Sequence, residues 1–163
     1  RKNPCQRRQC ERHRVMGVCL SLEHRLEIVS GKISGKAGVA KRVLVVEDNE
    51  LNLKLFCDLL RVHEFEAEGV RDAREAINRA TLFAPDIIIM DIQMPHISGL
   101  ELIEAIRRDV ILRRIPVMAV TAYAGKGDEE RIRAAGAEAY VSKPISVVKF
   151  VETVNGLLAA VGA

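Results

Sequence analysis

The stretch Ile87–Asp91, which reads IIIMD, joins an uninterrupted aliphatic run to an acidic residue. A second stretch, Val43–Asp48, reads VLVVED and has the same plan. Continuous aliphatic runs of this kind are typical of strands that are buried on both faces of a parallel sheet. The two stretches therefore predict a parallel sheet with carboxylates placed where its strands end.

The same alternation of strand and helix continues through the rest of this region. The predicted strands are Val43–Val46, Phe65–Val70, Ile87–Met90, Pro116–Val120 and Ala139–Val141. Apolar residues at helical spacing follow each strand. The residues that mark the helices are Leu51, Leu55, Phe56, Leu59 and Leu60; Ala73, Ala76, Ile77 and Ala80, on one face; Ile103, Ile106 and Val110; Ile132; and Val147, Val151, Val154 and Leu158, as the inner stripe of the last helix. This pattern predicts an α/β fold whose helices cover both faces of a parallel sheet.

Polar residues of complementary chemistry stand at the ends of four predicted strands. They are Glu47 with Asp48, Asp91, Thr121 and Lys143. Open parallel sheets bind ligands at the carboxyl ends of their strands, so these side chains are expected to meet. Clustered carboxylates repel one another and favour a cation, and oxygen ligands suit Mg²⁺. Each residue alone also fits a helix cap, a loop, a strand end or a surface charge, but their joint placement favours a site.

These motifs resemble those of the response-regulator receiver domains of the CheY-like superfamily. The matching segments are Val43–Asn49, Met90–Gly99, Val120–Ala122 and Tyr140–Pro144, and the resemblance covers roughly residues 42–160. It implies a doubly wound (βα)5 flavodoxin-like fold with strand order 2-1-3-4-5. Three further segments resemble single-domain cell-division regulators of the DivK type; they are Val46–Phe56, Gly127–Arg133 and Ser142–Val148.

The resemblance implies that Asp91 accepts a phosphoryl group from a phosphohistidine. It also implies that Mg²⁺ is held by Asp48, Asp91 and the backbone carbonyl of Gln93, with Glu47 acting through water. Many relatives have Asp where this chain has Glu47, and the longer side chain is expected to preserve metal binding. A divalent cation beside the nucleophile offsets the charge that accumulates during phosphoryl transfer.

Further residues are implied to bind the phosphoryl group and to report its arrival. Lys143 would pair with a phosphoryl oxygen, and Lys143-Pro144 is a candidate cis peptide. Thr121 would donate its hydroxyl to the phosphoryl group, and Ala122 would leave space for that group. Tyr140 would then rotate inward toward the space that Thr121 vacates, which makes Thr121 and Tyr140 the expected switch pair.

The implied function is that of a single-domain response regulator in a two-component or phosphorelay pathway. Its expected partners are a sensor histidine kinase or a histidine phosphotransfer protein, and its output is expected to be phosphorylation-dependent protein binding, with cell division as the implied process. Such a protein assists its own Mg²⁺-dependent phosphotransfer and autodephosphorylation without being a dedicated enzyme. The sequence identifies neither the kinase, nor the downstream target, nor the phosphate lifetime.

Two other classes of protein fit the sequence less well. A phosphorylation-independent binding module with the receiver fold is expected to have lost some of Asp48, Asp91, Thr121 and Lys143, and all four are present. A haloacid-dehalogenase-like phosphatase needs a second acid two residues after its nucleophile. Gln93 occupies that position and cannot transfer a proton.

Charge divides the 163 residues into a basic head and an acidic body. Residues 1–42 carry 11 Lys and Arg against 3 Asp and Glu, whereas residues 43–163 carry 14 against 19. Residues 1–41 are therefore interpreted as a basic N-terminal extension, expected to be flexible, that is either a tail, a segment before the native start, or a patch for anionic partners. Its three cysteines, Cys5, Cys10 and Cys19, do not match a usual zinc spacing.

Composition excludes several other classes. The chain is 48% hydrophobic and 29% charged, which is ordinary for a globular protein. No apolar run is long enough to cross a membrane, and no DNA-binding motif is recognisable. Aromatic residues make up only 4% of the chain, which argues against stacking platforms for nucleic acid. A cytoplasmic protein that is a monomer or a weak dimer is expected.

Overall fold

The computed structural model describes residues 40–122 and 125–161. The predictions for the basic extension and its cysteines lie outside the described residues. The strands are β1 (Arg42–Val46), β2 (Glu66–Val70), β3 (Ile87–Asp91), β4 (Val117–Thr121) and β5 (Ala139–Ser142). The α-helices are α1 (Glu50–Val62), α2 (Ala76–Phe83), α3 (Gly99–Arg108), α4 (Lys126–Ala135) and α5 (Val147–Val161), with 3₁₀ turns at Ala73–Glu75 and Leu112–Arg114. Within the described ranges, no helix is both long enough and apolar enough to span a bilayer.

All five strands form one parallel sheet in the order β2-β1-β3-β4-β5. The predicted α/β fold and strand order are therefore confirmed. Strand β1 lies between β2 and β3, with Val43 beside Ala67 on one side and Ile87 on the other. The chain order reverses direction across the sheet at β1, and the crevice for ligands in such folds opens beside this point.

Successive strand residues point to opposite faces, and each face has its own apolar layer. Val43 and Ile87 face α1 and α5, where the rings of Phe56 and Phe150 stack with centroids 5.5 Å apart. Alternate strand residues, such as Leu44, face the buried residues of α2, α3 and α4. The sheet is thus held rigid from both sides, while its carboxyl edge stays accessible.

The predicted inner stripe of α3 extends too far. Val110 continues the apolar spacing of Ile103 and Ile106, but this residue is 79% exposed. The helix ends at Arg108, and Asp109 adopts an extended conformation, so Val110 lies beyond the helical repeat. Leu112, in the following 3₁₀ turn, is the residue that enters the core.

The predicted stripes of α1 and α5 also need correction. Leu51 and Leu55 are 78% and 58% exposed, although Phe56 is buried as its spacing predicts. Val147 is half exposed because Phe150 takes the innermost position of α5. The periodicity located both helices and their buried residues Phe56, Leu60 and Val154. It also included exposed residues at the start of each helix.

Candidate functional site

The carboxyl edge of the sheet brings three acidic side chains together. Glu47 and Asp48 follow β1, and Asp91 ends the neighbouring strand β3. One carboxylate oxygen of each lies within 4.8 Å of the others. Glu47 and Asp91 are only 1% and 3% exposed. Buried charge at this density requires a cation, because bulk water no longer screens the repulsion.

Lys143 supplies part of that positive charge from the loop after β5. Its Nζ donates to Asp91 Oδ2 at 2.7 Å and to Glu47 Oε2 at 2.9 Å. The backbone N–H of Lys143 donates to the carbonyl of Thr121 at 2.7 Å. The Lys143–Pro144 peptide bond is cis. Three strand ends therefore meet around one ammonium group.

Burial and the neighbouring charges shift the pKa of Glu47 and the pKa of Lys143. Burial raises the pKa of Glu47, and the charge of Asp91 raises it further, while hydrogen bonds from Lys143 and Asn52 oppose the change. Burial alone would lower the pKa of Lys143. Its hydrogen bonds to Asp91 and Glu47 outweigh that effect and raise the pKa. Lys143 thus remains an ammonium ion at neutral pH.

The loop after β1 orients Glu47. Asn49 caps α1, because its Oδ1 accepts the backbone N–H groups of Leu51 and Asn52 at 3.0 and 3.1 Å. The interpretation of Glu47 or Asp48 as the cap of this helix is therefore wrong. Glu47 Oε1 instead accepts from the Asn49 backbone at 3.3 Å and from Asn52 Nδ2 at 3.2 Å. Glu47 and Asp48 therefore both belong to the acidic cluster with Asp91.

The loop after β3 closes tightly around Asp91. The backbone N–H of Gln93 donates to Asp91 Oδ1 at 3.0 Å. The N–H of Gly99 donates to the Ile92 carbonyl at 3.0 Å. A Cβ on Gly99 would lie 2.2 Å from the Asp91 carbonyl oxygen, so only glycine permits this approach. Gly99 ends one of the motifs in the sequence, but this packing role is visible only in the structure.

Thr121 and Tyr140 occupy neighbouring strands on the other side of Asp91. Thr121 ends β4 and is 2% exposed, whereas Ala122, which follows it, is exposed. Tyr140 lies in β5 and is partly buried. Its hydroxyl donates to Glu129 Oε2 in α4 at 2.9 Å. The role of Glu129 is not evident from the sequence, because no local pattern signals a hydrogen bond between a helix and the following strand.

An open cavity of about 450 Å³ lies beside Asp48. Its walls come from the loops after β1, β2 and β3. They are lined by Asp48, Arg71, Asp72, Ala73, Arg74, Pro95 and His96. A donor group therefore has access to the acidic cluster from the crevice side of the sheet.

The donor set fits a hard divalent cation. Carboxylate oxygens are the ligands that Mg²⁺ prefers, and a few protein carboxylates completed by water are its usual environment. Glu47, Asp48 and Asp91 offer three such oxygens in one place. The nearby ammonium of Lys143 leaves part of the negative charge to be balanced by a metal ion.

Comparisons with known proteins agree with this geometry. The family model for the response regulator receiver domain matches residues 43–155. A polar-differentiation response regulator, DivK from Brucella ovis, is 53% identical over 120 residues, which make up 74% of this chain and 98% of the relative.

Solved structures have the same fold. The chemotaxis protein CheY4 of Vibrio cholerae superposes with a TM-score of 0.70 at 25% identity, covering 73% of this chain and 99% of that one. The receiver domain of a sensor histidine kinase from Pseudomonas aeruginosa gives a TM-score of 0.67 at 30% identity, covering 77% and 100%. That structure has a magnesium ion coordinated in its active site cleft.

Proposed function

Because the chain belongs to the response regulator receiver domain family, we propose that it accepts a phosphoryl group on Asp91 from a phosphohistidine. The observation that carries this assignment is the meeting of Asp91 with two further acids and the Lys143 ammonium at one sheet edge. The receiver domain is proposed to span residues 42–160, with residues 1–41 as a basic extension.

The transfer step uses Asp91 as its nucleophile. A carboxylate oxygen forms a bond to phosphorus, the phosphorus–nitrogen bond of the donor breaks, and the electron pair returns to the imidazole. The product is an aspartyl phosphate. Lys143 leaves its contact with the free carboxylate and pairs with a phosphoryl oxygen. An ammonium can make this exchange readily, because it is a point charge with three donors on a flexible stem.

Glu47, Asp48 and Asp91, with the carbonyl of Gln93, are the residues that would hold Mg²⁺, Glu47 through water. When bound, the ion supplies positive charge that offsets the charge of the transferring group. The hydrogen bonds from Asn52 and Asn49 keep Glu47 turned toward this position. The N–H of Gln93 holds Asp91 Oδ1 and leaves Oδ2 on the side of Lys143.

The phosphorylated site is read out through β4 and β5. Thr121 donates its hydroxyl to the phosphoryl group, Ala122 leaves room for it, and Tyr140 moves inward toward Thr121. A phosphoryl group adds about −1.5 to −2 charges, which is enough to favour one of two arrangements of this face. Water then attacks the phosphorus, the bond from phosphorus to the Asp91 oxygen breaks, and inorganic phosphate leaves. Asp91 returns as a carboxylate, so autodephosphorylation is part of the proposed cycle.

The proposed donors are a sensor histidine kinase or a histidine phosphotransfer protein. The proposed site of action is the cytoplasm. Leu51 and Leu55 on α1 are exposed apolar residues that suit a helical docking partner. The Brucella relatives are named for polar differentiation. Their 53% identity supports a role in cell-cycle control for this chain.

Intact-mass spectrometry after incubation with acetyl phosphate tests the assignment. We expect the gain of one phosphoryl group with Mg²⁺, none with EDTA, and none in Asp91→Asn. Asp58→Asn is the matched control, because Asp58 is exposed on α1 and is not one of the clustered acids. If the wild-type chain takes no phosphoryl group from acetyl phosphate or from a phosphohistidine donor, it is a binding module that works without phosphorylation.

A further inference from the structure

Tyr140 has a charged partner on the neighbouring helix. Its hydroxyl donates to Glu129 Oε2 at 2.9 Å. The other oxygen of this carboxylate, Oε1, accepts from Nε of Arg133 at 3.0 Å. Because both oxygens are engaged, Arg133 fixes the carboxylate with one oxygen directed at the phenol. Hydrogen bonds to a charged acceptor are stronger than those between neutral groups.

The proposed rotation of Tyr140 would turn its ring toward Thr121. In the β4–β5 register Tyr140 lies beside Ala119, which is two residues before Thr121. Residues two apart on a strand share a face, so Tyr140 and Thr121 lie on the same side of the sheet. The strand residue beside Tyr140 on this face is Ala119, which has a small side chain. A cavity of about 210 Å³ also borders Thr121, with Ile132 of α4 in its wall.

We propose that Glu129 is a positioning residue that holds Tyr140 outward and thereby sets how readily the chain adopts its phosphorylated arrangement. This inference rests on the function proposed above. Rotation of Tyr140 toward Thr121 would move the hydroxyl from its place beside Glu129 and break this bond. The bond therefore stabilises only the outward arrangement, and a contact made in one of two states shifts their populations.

The protonation states of the pair favour this bond at neutral pH. The hydrogen bond to Glu129 raises the pKa of Tyr140, and the same bond lowers the pKa of Glu129. The phenol is therefore protonated and the carboxylate ionised. The Glu129 side chain is 40% exposed, so water screens the interaction and its effect on the populations is moderate.

The first test is the initial rate of Asp91 phosphorylation by acetyl phosphate with Mg²⁺. We expect Glu129→Ala to react roughly three- to tenfold faster than wild type, since removal of one charge-assisted hydrogen bond favours the inward arrangement. Glu129→Gln keeps an acceptor without charge and should fall between the two. Glu130→Ala is the control, because Glu130 is exposed on the same helix.

A double-mutant cycle separates this role from a general effect on α4. Tyr140→Phe removes the hydroxyl, so adding Glu129→Ala in that background should not change the rate further. If Glu129→Ala has an equal effect with and without the hydroxyl, it does not act through Tyr140, and the proposal is overturned.

An NMR titration gives a readout that does not depend on phosphorylation. The chain has two tyrosines, and Tyr140→Phe assigns the ring signal. The phenol pKa of Tyr140 should fall toward its ordinary value in Glu129→Ala and stay unchanged in Glu130→Ala. A wild-type chain that takes no phosphoryl group overturns the proposed function and this role with it. A phosphorylated wild type whose rate Glu129→Ala leaves unchanged overturns the positioning role alone.

Discussion

Lys143 Nζ lies 2.7 Å from Asp91 Oδ2, although 52 residues separate the two along the chain. The same ammonium lies 2.9 Å from Glu47 Oε2. The cation that is proposed to receive the phosphoryl group is therefore already engaged with the nucleophile and its neighbour. In the proposed reaction, Lys143 exchanges the Asp91 carboxylate oxygen for a phosphoryl oxygen.

Removal of the Lys143 ammonium should slow the phosphorylation of Asp91. In Lys143→Ala, we expect the rate of phosphorylation by acetyl phosphate to fall at least about tenfold, because a preorganised charge at a reacting oxygen is lost. Mass spectrometry over time measures this rate. Lys149→Ala, which removes an exposed lysine of α5, should keep the wild-type rate. Equal rates in the two variants would contradict the role of Lys143.

Mg²⁺ should stabilise the fold by relieving the repulsion among the three acids. At about ten times its Kd, a ligand that binds only the folded state adds ~1.4 kcal/mol to the free energy of unfolding. We expect a rise in Tm of a few degrees with Mg²⁺ relative to EDTA. Asp48→Asn should abolish this rise, whereas Asp58→Asn should retain it. A rise that persists in Asp48→Asn would place the metal elsewhere.

Substitution of two glycines by alanine should change the free energy of unfolding in opposite directions, because a Cβ has no room at Gly99 and free space at Gly156. Gly99→Ala puts a Cβ 2.2 Å from a carbonyl oxygen, and we expect it to lower the free energy of unfolding by about 1–3 kcal/mol and to slow phosphorylation. Gly156→Ala, in α5, meets no atom within 4 Å and should raise it by about 0.5–1 kcal/mol. Urea unfolding measures both values.

Asp72 should titrate at unusually low pH. Hydrogen bonds from the Arg74 guanidinium, joined by the Arg74 backbone N–H, lower the pKa of Asp72 to about 2. A lowered pKa means that this pair contributes its stability fully above the ordinary carboxyl pKa and loses it as the pH falls through about 2. Carboxyl NMR should show the pKa rising toward its ordinary value in Arg74→Gln but not in Arg71→Gln.

Much of the site was predictable because its residues stand directly after predicted strands. A parallel sheet brings all carboxyl ends to one edge, so Asp91 and Lys143 had to approach each other once the strands were located. No spacing along the chain shows which neighbour orients each group. The bond from Asn52 to Glu47 and the bond from Tyr140 to Glu129 depend on side-chain directions that only the packed structure fixes.

Helix boundaries set the other limit of prediction. Val110 continues the apolar repeat of α3, but the helix stops at Arg108 and the residue lies exposed. Periodicity describes a face and carries no information on where the backbone leaves the helix. The α5 stripe that begins at Val147 fits helical spacing but does not include Phe150. In the structure, Phe150 is buried and its ring stacks on that of Phe56.

The position of β1 between β2 and β3 also has a consequence for biosynthesis. Strand β1 pairs with β3, for example Val43 with Ile87, and the ribosome synthesises β1 well before β3. Once β3 has emerged, Glu47, Asp48 and Asp91 can gather at one edge, but the balancing ammonium is still 52 residues from being translated. The nascent chain thus carries negative charge that Lys143 does not yet balance, and we expect the last strand and its lysine to complete pairing and neutralisation in a single cooperative step.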